Sequence, residues 1–82
     1  MNPVYINKLR ALGCELWMLG KGEDAMCYAV FESIKDCWDK YSKVEEISRE
    51  TDAEWIVAAA SASVVNHWKG IHRATEEELL SY

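Results

Sequence analysis

The chain has 82 residues and a mass of 9.4 kDa, with 14 acidic and 9 basic side chains and a net charge of −5. That length predicts one domain over 1–82 and excludes a barrel, a doubly wound sheet or a multi-domain enzyme. At 50% apolar and 28% charged the balance is globular rather than disordered, and the acidic excess is repelled by phosphate backbones and anionic membranes.

Asn2 and Pro3 open the first predicted helix, because Asn caps well and proline suits the first helical position. Ile6, Leu9, Leu12, Leu16 and Leu19 then recur at spacings of three and four. Gly13 weakens the middle of this helix by about 1 kcal/mol relative to Ala, and Gly20 is its candidate C-cap. The same residues admit an α+β alternative. In it, Cys14–Leu19 and Ala25–Phe31 are strands of an N-terminal β-hairpin joined by the glycine-rich Gly20–Asp24 turn. The pattern that follows Phe31 favours helices.

From Glu23 onward, Met26, Val30, Ile34, Cys37, Trp38, Tyr41 and Val44 fall on one helical face. Glu23 and Asp24 sit where a helix dipole favours acids. The pairs Glu32–Lys35, Asp36–Lys40, Asp39–Lys43 and Glu45–Arg49 add a few tenths of a kcal/mol each. A helix to about Arg49 is expected. Thr51-Asp52-Ala53-Glu54 is a capping box for a third helix through Trp68, apolar on most faces and stopped by Gly70. A second box, Thr75-Glu76-Glu77-Glu78, opens a short C-terminal helix carrying Leu79, Leu80 and Tyr82. The expected fold is all-α, a compact bundle of about four helices.

A bundle this small cannot cover so apolar a third helix, and four tryptophans and four tyrosines add large area that is hard to hide. Self-association buries the surplus. This predicts a homodimer with Trp55, Ala58, Ala59, Ala62 and Val65 at the interface.

Catalytic patterns are sparse. Cys14, Cys27 and Cys37 are odd in number and widely spaced, and no pair is CxxC. They read as small core thiols of a reducing compartment rather than a disulfide or zinc framework. Cys27 falls in the first turn of the second predicted helix, where a dipole lowers a thiol pKa, but burial in the core is the simpler fate. His67 and His72 do not form a metal-binding helix pair, and Gly20-Lys21-Gly22 is not a phosphate loop. The expectation is a non-enzyme without cofactor or metal. No leader-like or membrane-spanning apolar run occurs, so a cytoplasmic protein without membrane insertion is expected.

Two binding readings follow. In the second, Ala58 to Lys69 resembles a helix-turn-helix loosely, with Ser61-Ala62-Ser63 as its turn, and Asn66, His67, Lys69 and Arg73 supply a basic surface for DNA. Against it, residues 43–82 carry 4 basic and 8 acidic side chains, and the alanines favour unbroken helix. The first reading is a small acidic protein that binds and modulates or inhibits another protein, with Trp17, Trp38 and Tyr41 as anchors. Phage and mobile-element accessory or inhibitor proteins have this size and character. An acidic mimic of nucleic acid is a minor variant.

Overall fold

The computed structural model describes residues 1–50 and 57–82, and it is a mixed α+β fold rather than a helical bundle. The described elements are α1 (Pro3–Arg10), β1 (Glu15–Leu19), β2 (Met26–Phe31), α2 (Ile34–Arg49), β3 (Val57–Ser61), α3 (Ala62–Val65), β4 (Ile71–Arg73) and α4 (Glu76–Ser81). The strands form one sheet in the order β3-β2-β1-β4. β1 is antiparallel to both β2 and β4, whereas β2 and β3 run parallel, connected through α2.

The first helix starts as expected. The Asn2 side chain accepts from the Val4 amide at 2.9 Å, and Pro3 occupies the first turn. It stops eight residues later, because Gly13 takes φ +90° and turns the chain into β1. Only Ile6 and Leu9 of the leucine-rich series are buried by this helix. Leu16 and Met18 alternate inward along a strand instead. The second predicted helix is corrected in the same way. Its first third is β2, Met-Cys-Tyr-Ala-Val-Phe, whose β-branched and aromatic content suits a pleated surface better than a helix. The hairpin of the alternative reading is thus the observed structure, with Leu16 opposite Ala29 and Met18 opposite Cys27.

α2 begins at Ser33, whose hydroxyl accepts from the Asp36 amide at 3.1 Å. Of the four expected ion pairs only Glu45–Arg49 forms, at 3.4 Å; Lys35 pairs with Asp39 and Lys43 with Glu46 instead. The third predicted helix is overturned over Val57–Ser61, which is β3. Alanine's helix propensity is a weak preference, and parallel pairing with the buried β2 overrides it. The Thr51 capping box and Trp55 lie outside the described residues. The Thr75 capping box is present, with Thr75 Oγ1 accepting from the Glu78 amide and Glu78 Oε1 accepting from the Thr75 amide.

Directly opposed residues share a face of the sheet. Leu16, Met18, Cys27, Ala29, Phe31 and Val57 therefore point together into the core, where they meet Ile6, Leu9, Val44, Ile47 and Leu79 from the helices. The Met1 ammonium donates to the carbonyls of Leu79, Leu80 and Tyr82 at 2.9, 3.1 and 3.3 Å. It places a cation on the last turn of α4, where the helix dipole favours one. The other face of the sheet presents Trp17, Tyr28, Val30, Ala58 and Ala60. Over part of it lies the segment after β3, with the Trp68 ring edge-on to Tyr28 at 5.3 Å. No helix among the described residues is long and apolar enough to cross a membrane.

Candidate functional site: an apolar groove at the sheet edge

An amphipathic helix over a sheet buries its apolar stripe along its length. α2 does so in only one half. Val44 and Ile47 are buried, but Ile34, Trp38 and Tyr41, on the adjoining side of the helix, remain in water, with Trp38 72% exposed. The Trp38 and Tyr41 rings sit 5.9 Å apart and form a wall. Opposite stand Val64 of α3 and Trp68, both substantially exposed. Between the walls runs β3, so Ala59, Ala60 and Ser61 make the floor of a groove of about 310 Å³ that Cys37 also lines.

The floor is a sheet edge. β3 is the outermost strand, and among the described residues no strand pairs with its free side. In a strand whose one side is paired, alternate backbone N–H and C=O groups point outward. The Val57 amide at the start of β3 already donates to the Ser48 hydroxyl at 3.2 Å, so the groove combines apolar walls, a floor of small side chains and the outward backbone donors and acceptors beyond Val57.

Burial disfavours the thiolate form of each cysteine. Cys27 lies in β2 and not at a helix N-terminus, and burial pushes its thiol up to about 12. Burial likewise pushes Cys14 up to about 11, and its Sγ donates to the Leu9 carbonyl. Cys37 is shifted upward for the same reason. Among the described residues no cluster of His, Cys, Asp and Glu would hold a metal ion. A second depression, of about 440 Å³, is lined by Glu23, Glu77 and Glu78 beside Met18 and Tyr82. Glu78 there accepts from His72 Nε2 at 2.8 Å. That bond raises the His72 pKa and lowers that of Glu78.

The residues singled out from sequence scatter over four places. Trp38, Tyr41 and Ala59 meet in the groove, while Ala58 and Ala62 beside it are half-buried. Val65 is fully buried within the chain, which leaves it no surface for a partner. Trp17 lies toward the β4 edge of the sheet, away from the groove, with the Arg73 guanidinium 5.9 Å over its ring and Glu15 3.6 Å from Arg73. Asn66, His67 and Lys69 are exposed in the turn after α3. The helix-turn-helix is not formed, since β3 leads directly into α3 and four residues make about one turn, too short to read a groove of DNA. Tyr5 and Tyr82 are half-buried, and the Tyr82 hydroxyl accepts from the Cys27 amide. The contributions of Ile34 and Val64 are new from the structure. Ile34 was visible as a member of the stripe that ran from Met26 to Val44, but nothing in sequence says which part of that stripe is covered.

Comparison with family models, with curated proteins and with solved structures returns no match.

Proposed function

We propose that this protein is a cytoplasmic, non-enzymatic protein that works by binding another protein and modulating it. The observation that supports this reading is the groove. Five large apolar side chains stay in water around one sheet edge, and contiguous apolar patches of that kind mark protein interaction sites. Aromatic anchors beside a strand edge suit recognition by strand addition, in which main-chain hydrogen bonds give affinity and flanking pockets give selectivity. The protonated, buried thiols supply no counter-indication.

The test is capture from native lysate by the tagged chain, with nuclease and a salt series, beside a Trp38→Ala/Tyr41→Ala variant. A stoichiometric protein partner that survives nuclease and is lost by the variant is the expected result. Nucleic acid that elutes steeply with salt would overturn the reading and turn attention to His67, Lys69 and Arg73. A cysteine that alkylates faster than a free thiol at neutral pH would revive the enzyme class.

A further inference from the structure

We infer that the groove is filled by the same groove of a second copy, β3 pairing antiparallel with its counterpart about a two-fold axis near Ala59 to give one eight-stranded sheet. The inference rests on the reading of this groove as a protein-docking surface, and it names the occupant.

The strand itself is the first reason. Proteins protect a free edge with charge, proline, a bulge or brevity. β3 reads Val-Ala-Ala-Ala-Ser, five residues with neither a charge nor a proline. Such an edge is suited to being covered by another strand. The sequence of β3 is also nearly symmetric about Ala59. Antiparallel pairing there sets Ala58 against Ala60 of the second copy, and small side chains against small ones let the walls close.

The second reason is area. At about 200 Å² for a whole aromatic side chain, the exposed parts of Trp38, Tyr41 and Trp68, with those of Ile34 and Val64, leave roughly 450 Å² of apolar surface in one patch. A two-fold contact doubles this to roughly 900 Å². The backbone and small side chains of β3 then bring it to the ~1,000 Å² that a biological interface with good complementarity must clear. The third reason is shape. Trp38 protrudes beside a hollow floored by alanine, so the patch carries both a knob and a recess. A two-fold, self-complementary contact needs both on the same surface. In that arrangement α2 and its counterpart lie side by side on one face of the joined sheet, with the Trp38 rings between them.

The full chain is weighed by light scattering over a concentration series, beside Trp38→Lys and Ala60→Lys. The expected mass is twice 9.4 kDa. Each lysine should raise the dissociation constant by at least about 30-fold, as for loss of a buried hot-spot side chain, with the far-UV spectrum unchanged. Trp38 is 72% exposed, so its replacement leaves the chain folded even if Ala60→Lys does not. A dimer that survives Trp38→Lys in folded form overturns the inference. So does a wild-type chain of 9.4 kDa throughout the series. If that monomer still captures a partner that the Trp38→Ala/Tyr41→Ala variant loses, the docking reading stands and only the second copy falls. Equal capture by monomer and variant sinks both.

Discussion

The two edges of the sheet are built to opposite specifications. β4 is three residues long and reads Ile-His-Arg. Its His72 is bonded to Glu78, and its Arg73 is paired with Glu15 and set over Trp17. β3 is longer, uncharged and flanked by exposed aromatics. A short edge with fixed charges resists a further strand, and a plain alanine edge between apolar walls invites one. One sheet thus holds a closed side and an open side, and only the open side has the features of a docking surface.

The contrast can be broken from either end. The largest effect is expected at Phe31, buried in β2 opposite Ser61 of β3. Phe31→Ala should cost about 3–5 kcal/mol, read as the denaturant midpoint, and remove the groove with the fold. An unchanged midpoint would mean that β3 is anchored elsewhere. Gly70 comes next. It holds φ +88° just before β4, with the Gly20 amide 3.7 Å from where a Cβ would sit. Gly70→Ala should cost about 1–2 kcal/mol through backbone strain, weakening the closed edge while Trp38 fluorescence stays as in wild type. Thr75→Ala removes the cap that starts α4 and should cost about 1 kcal/mol, with no effect on oligomeric mass.

The smallest effect is the most selective. The bond between His72 and Glu78 raises the first pKa and lowers the second. The His72 share is complete below its ordinary 6.5 and fades as pH rises through the raised value. The Glu78 share is complete above its ordinary 4.5 and fades as pH falls through the lowered value. Both are fully present only between those two pH values. Glu78→Gln keeps the capping geometry and loses the charge. Its stability to denaturant should therefore fall below wild type most near pH 5.5, by the few tenths of a kcal/mol of a solvent-screened pair. A deficit that is the same at pH 8.5 would show that the charge plays no part in holding β4 to α4.

What the sequence made legible follows from the range of the forces involved. The caps at Asn2 and Thr75 are local chemistry, complete within four residues, and both are present. The part of the apolar stripe from Ile34 onward is likewise local, and Trp38 and Tyr41 stand 5.9 Å apart on α2, whereas Met26 and Val30 of the same stripe belong to β2. The fold class was not legible by the same means. Leu16 and Leu19 fit a helical spacing with Leu9 and Leu12, yet Gly13 interrupts the series, and the strand partner of Leu16 is Ala29 across a turn. The Ala58–Ala60 run reads as helix by propensity and is a strand only because β2 lies beside it. The groove depends on that same distant pairing. One wall could be read from α2, whereas the facing wall and the floor could not.

The parallel register of β2 and β3 has a consequence for the order of assembly. Cys27 stands opposite Val57, so that pairing must close a loop of α2 and its flanks, whereas β1 meets β2 across a tight turn. Loop closure is slower and less favourable the more chain it spans. The hairpin with its helices gains structure early, and β3 arrives late. Destabilising substitutions in β3 should then speed unfolding with little change in the folding rate, and the reverse result in a chevron would show an early β3. During that interval the stripe of Ile34, Trp38 and Tyr41 stands beside a raw edge of β2, so the nascent chain is most open to misassembly at the place that later serves for contact.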